Sequence, residues 1–87
     1  MYVHLGGDIV VPTGEIVGIF DARLLEGNED NRRFMESARR AGRVRSEVPP
    51  ADRKAVVVTS TGVYTSAISS LTLQKRVLHV QWGLSQG

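Results

Sequence analysis

Two runs, "KAVVVTS" and "VYTSAI", enclose a Ser-Thr-Gly turn around residues 60–62. β-Branched residues on both sides of a tight turn form an antiparallel hairpin. A two-stranded hairpin is barely stable alone in water, so the rest of the chain has to cover it. Only 87 residues are available for that. They form one domain, because two halves would each be too small to bury a core. Stability is then modest, and oligomerisation is one way of adding to it.

The flanking sequence supplies more strands and two helices. "YVHL" and "DIVV" surround Gly6-Gly7, a dipeptide suited to the positive φ angles of a tight turn. Pro12-Thr13-Gly14 makes a second turn, after which "EIVGIF" (residues 15–20) reads as a buried strand. Three such strands predict an N-terminal meander. "DARLLEG" reads as a strand end and a loop closing at Gly27. Asn28 then caps a helix that Gly42 stops, with Glu29 and Asp30 in its first turn. Helical spacing puts Phe34, Met35, Ala38 and Ala41 on the inward side. "RVRSEV" (residues 43–48) alternates as a short edge strand ended by Pro49-Pro50. "SSLTLQKRVLHV" reads as a second helix, capped by Ser69 or Ser70, with Leu71, Val77 and Leu78 inward. The expected domain spans residues 1–80. Residues 81–87 read as a partly disordered tail from which Trp82 can dock. The fold class is α+β, mainly antiparallel, with two short helices.

Charge is distributed unevenly. The formal net charge is +2, yet residues 31–54 hold eight of the eleven Lys/Arg against three acids, a local net charge of +5. Within "NRRFMESARRAGRVR", Arg32, Arg33, Arg39 and Arg40 occupy an arc of roughly 120° opposite the inward residues. Arg43 and Arg45 extend this basic stripe, and Arg53 and Lys54 restart it. Glu36 lies within the arc and can pair with Arg32, Arg39 or Arg40, each pair adding only ~0.2–0.5 kcal/mol. One glutamate cannot neutralise four arginines. Nine of the eleven cations are arginine, whose forked guanidinium suits phosphate. A polyanion surface and a solvated, salt-bridged helix face both fit these residues. Phe34 is the patch's one aromatic and points to the core on this reading, so stacking on single-stranded bases is not supported.

Little else suggests chemistry. The absence of cysteine removes disulfides, thiolate metal sites and a cysteine nucleophile. His4 and His79 are the two histidines, nothing in the sequence places them together, and neither stands in a metal-ligand spacing. The acids form no pair for acid–base work, and no nucleophile elbow or phosphate loop is present. No catalytic residue, cofactor, metal or small-molecule substrate is expected. With no signal-peptide pattern and no apolar run near the roughly 18 residues of a membrane span, the chain reads as soluble and cytoplasmic.

Two stretches carry a family resemblance. "MYVHLGGDIVVPTGEIVGIFD" and "KAVVVTSTGVYTSAISSLTLQKR" resemble the RemA/RemB family of bacterial extracellular-matrix regulators, and the RemB (YaaB-like) branch above all. "SARRAGRV" also looks like the helix end of RemA. The resemblance covers residues 1 to about 78 and is loosest over 24–53. It implies a non-enzymatic transcriptional regulator of biofilm matrix genes with a LytTR-related fold. It further implies a ring-shaped homo-oligomer that carries double-stranded DNA by its phosphate backbone. An "N-R-I" stretch of RemA matches Gly14-Glu15-Ile16, where a glutamate replaces the family's arginine and Gly14 stands where RemB proteins tend to have a basic residue. An "R-R-x-R-A" stretch matches Ala51-Asp52-Arg53-Lys54-Ala55, keeping Lys54 in place and Arg53 one step displaced. The expected DNA contacts are therefore Arg53 and Lys54, assisted by Arg43, Arg45, Arg32, Arg33, Arg39 and Arg40. The alternative is an oligomeric structural or protein–protein paralogue that does not bind DNA.

Overall fold

The structure, a computed structural model, describes residues 1–82, and their side chains as far as His79. Strands β1 (Tyr2–Gly6) and β2 (Ile9–Pro12) form a hairpin. Its turn passes through Gly6 and Gly7 at φ of 111° and 57°, angles that a Cβ disfavours. A 3-10 turn (Thr13–Glu15) leads into β3 (Ile16–Asp21) and the single helical turn α1 (Arg23–Gly27). There follow α2 (Glu29–Arg40), β4 (Val44–Ser46), a 3-10 turn (Pro50–Asp52), β5 (Ala55–Thr59), β6 (Gly62–Ser66) and α3 (Ser70–Trp82).

The main sheet has the order β3-β5-β6-β4, antiparallel except for the β4–β6 pair. The β5–β6 hairpin is the one expected from sequence. Thr59 shapes its turn, its hydroxyl accepting the Gly62 amide (3.1 Å) and donating to the Gly62 carbonyl (2.8 Å). β5 is almost wholly apolar, so it needs cover on both faces, and each face carries a separate core. On one face Ala55 and Val57 pack with Val3, Leu5 and Val11 of the N-terminal hairpin and Leu73 of α3. On the other, Val56 and Val63 pack with Leu25 of α1 and with Met35 and Ala38 of α2.

The α+β class is as the sequence predicts, but the N-terminal strands do not form a meander. β1 and β2 make their own two-stranded sheet, while β3 pairs with β5. The hairpin's alternating Val3, Leu5 and Val11 give it one apolar side, and burying that side against β5 and α3 demands a lid rather than another strand of the main sheet. The Ser66 hydroxyl fastens the lid by donating to the Leu5 carbonyl (2.6 Å). "DARLLEG" is a helical turn instead of a loop: Asp21 Oδ1 accepts the Arg23 amide (2.9 Å), and the turn buries Leu25.

The helices sit where expected, but some inward residues differ. Phe34 is 46% exposed and Ala41 is exposed, because α2 crosses the sheet on the narrow stripe of Met35 and Ala38. In α3, Leu71 is 60% and Leu78 47% exposed, whereas Leu73 is fully buried and Val77 flanks the core. Ser69 is the cap, its hydroxyl accepting the Thr72 amide (3.2 Å). The α3 backbone continues two residues into the expected tail. The docking of Trp82 and the disorder expected after it lie outside the described residues.

Candidate nucleic-acid interface

The sequence of α2 sets both its ends and its orientation. The Asn28 side chain accepts the amides of Asp30 (2.8 Å) and Asn31 (3.2 Å), a cap worth about 1 kcal/mol. Glu29 and Asp30 open the helix and Arg39 and Arg40 close it, matching charge to its dipole at each end. Gly42, at φ 69°, ends it: the Arg43 amide donates to the Ala38 carbonyl and the Gly42 amide to that of Arg39. With Met35 and Ala38 buried, Arg32, Arg33 and Arg40 are turned to solvent.

The reversal at Gly42 lays β4 parallel to β6, and the Val63 amide donates to the Arg43 carbonyl (2.8 Å). The approach is close enough that a Cβ on Gly62 would overlap that carbonyl oxygen. Arg45 is thereby fixed, its Nε donating to the Thr61 carbonyl (3.0 Å). Glu15, at a position where the family resemblance places an arginine, accepts from the Thr61 hydroxyl at the same turn (3.4 Å).

The eight expected contact residues do not form one array. Arg32, Arg39 and Arg53 line a cleft of about 380 Å³ together with Glu26 and Glu36. Arg43 and Arg45 lie instead beside the β5–β6 turn. Glu47 draws two of the arginines together: Arg39 Nη2 reaches it at 2.9 Å and Arg53 Nη2 at 3.5 Å. The Arg53 side chain is only 16% exposed, so this residue is a folded-in strut as much as a surface cation. Arg40 meets Glu36 at 3.6 Å, an exposed pair of small value. Among the described residues, Arg32, Arg33, Arg43 and Lys54 are exposed and make no ion pair. The sequence could not show that Glu47 competes for Arg39, because the contact depends on where β4 docks.

The forked hydrogen bonds from Arg39 hold the Glu47 carboxyl below its ordinary pKa, and the Arg53 charge adds to this. A depressed carboxyl contributes stability that is complete above the ordinary carboxylate range and is lost as the pH falls from that range through the lowered pKa. Glu47→Gln is therefore expected to flatten the fall in Tm between about pH 6 and pH 3. Parallel Tm–pH curves for the two proteins would show that the cluster adds nothing to stability.

Among the described residues no three His, Cys, Asp or Glu gather where they could share a metal ion, and no helix is long and apolar enough to cross a membrane. His4 and His79, which nothing in the sequence places together, line the same groove, between β1 and α3.

Comparison with known proteins fits the two quoted motif regions. The model of a family described as RemA-like, extracellular matrix regulatory protein A-like, matches residues 2–77. Extracellular matrix regulatory protein B of Bacillus subtilis (strain 168) is 38% identical over 78 residues, which cover 87% of this chain and 89% of that protein. The match spans the N-terminal lid, the main sheet and the first part of α3, and the chain belongs to the RemA-like family of extracellular matrix regulatory proteins.

Proposed function

We propose that the protein is a DNA-binding transcriptional regulator of extracellular-matrix genes, working in the cytoplasm as a ring-shaped homo-oligomer. The observation that carries this reading is the exposed set Arg32, Arg33, Arg43 and Lys54, which no carboxylate engages among the described residues. Such cations gain by displacing counterions from duplex phosphates. Arg40, loosely held by Glu36, joins them, while Arg39, Arg45 and Arg53 add positive field from fixed positions. Contacts of this kind read backbone and DNA shape more than base sequence.

Assembly is supported by a second surface. Val17 (73% exposed), Phe20, Leu24 and Phe34 border an apolar groove of about 400 Å³ beside β3, an open edge of the main sheet. Covering that edge favours association, and repetition of the cation set raises avidity for a long duplex.

The test is a salt series of binding to long duplex DNA. Wild type is expected to lose affinity with a slope of about −0.9 per phosphate neutralised. A variant with Arg32, Arg33, Arg39 and Arg40 changed to Gln should bind more weakly and with a shallower slope. An unchanged slope, or no binding by wild type at low salt, would defeat the proposal. A second reading is favoured by Glu47 engaging Arg39 and Arg53 and by Glu15 at an arginine position. It is an oligomeric structural or protein–protein paralogue, with multimeric mass on size exclusion and no DNA shift.

A further inference from the structure

The groove between β1 and α3 gathers Tyr2, His4, Thr72, Lys75, Arg76 and His79 over a volume of about 420 Å³. Among the described residues no carboxylate lines it. No residue after Asp52 is acidic, so the last 35 residues hold four Lys/Arg and no Asp or Glu. Lys75 and Arg76 make no ion pair among the described residues. Arg76 is fixed at the rim, its Nη1 donating to the His4 carbonyl (2.9 Å) and its remaining N–H groups left over. The His4 ring is held by a 2.6 Å bond between Nε2 and the Gly7 carbonyl. The Thr72 hydroxyl accepts from Ser69 (2.9 Å), which leaves its own hydrogen to donate. An ammonium, a guanidinium, an imidazole and hydroxyls thus surround one space, with no competing anion among the described residues. Val3 and the 65%-exposed Tyr2 ring supply apolar surface beside them.

This combination suits a phosphate monoester. Its oxygens take several charged donors at once, and the aromatic face can carry a flat organic group. The groove is open to solvent, so a ligand held there stays partly exposed. We infer that this groove binds a small phosphorylated ligand of mononucleotide size. The site lies on the face of the main sheet opposite α2, because β1 and α3 share one core and α2 the other. It does not rest on the proposed DNA contacts.

The same donors could hold a backbone phosphate of DNA, so the test has three arms. The full chain, labelled with 15N, is titrated at constant ionic strength with inorganic phosphate, with a 5′-mononucleotide and with a short duplex. Saturable amide shifts are expected at residues 2–4 and 72–79 with millimolar phosphate, and at lower concentration with the mononucleotide. Lys75→Glu should weaken both by about tenfold or more, with β5 amides unmoved as the check on folding. Lys75→Gln should weaken them less. No saturable shift with phosphate or mononucleotide would overturn the inference, as would shifts that persist unchanged in Lys75→Glu. Shifts produced by the duplex alone would also overturn it and assign the groove to a DNA surface.

Discussion

Leu73→Ala is expected to cost about 3 kcal/mol and to lower Tm by roughly 12–20 °C. Leu73 is fully buried where α3 meets both the N-terminal hairpin and β5, in contact with the cluster of Val3, Leu5, Val11, Ala55 and Val57. Those neighbours belong to two separate sheets, so they cannot all move in to fill the space a truncated side chain leaves. A domain of this size has a total stability of about 5–15 kcal/mol, and this loss is a large share of it. Leu71→Ala is the control. Its side chain is 60% exposed, and the change should stay within about 0.5 kcal/mol. Thermal melts of the two variants read out which side of α3 faces the core. If Leu71→Ala proved the more damaging, the helix would be turned as its sequence alone suggests.

Gly62→Ala should be nearly as disruptive, although it adds only one methyl group. The new Cβ would overlap the Arg43 carbonyl oxygen and lie 2.7 Å from Arg45 Cγ. The arginine side chain can swing away; the backbone carbonyl cannot. β4 must slide off β6, losing the bond from the Val63 amide to Arg43, at a cost of about 2 kcal/mol. The change leaves every charge in place but moves Arg43 and Arg45, so the urea midpoint should fall, and the DNA affinity proposed above should fall with it. A variant with wild-type stability would mean that β4 does not dock there.

How far the sequence reveals the molecule depends on whether a feature is local. The β5–β6 hairpin and the capped, glycine-ended α2 are both visible, since turn chemistry, cap and stop lie within a few residues of one another. Phe34 and Leu71 mislead because an apolar residue on a helix marks a possible inward side, and the breadth of the contact is set by the partner. α2 fully buries only Met35 and Ala38, and α3 carries apolar residues around much of its circumference. The placement of the N-terminal hairpin as a lid is invisible for the same reason: alternation shows which side of it is apolar, not what that side meets. At the candidate interface the basic segment is plain from charge counting. The engagement of Arg39 and Arg53 by Glu47, and the sharing of one groove by His4 and His79, depend on elements that fold together from distant positions.

The position of β5 has a consequence for how the protein comes apart. Successive residues of this strand serve opposite cores, Val56 beneath α2 and Val57 beneath α3. Each core is built on β5, and neither can survive its loss. The two therefore share one cooperative transition, and the amide protons of β5 exchange with solvent only when the whole molecule opens.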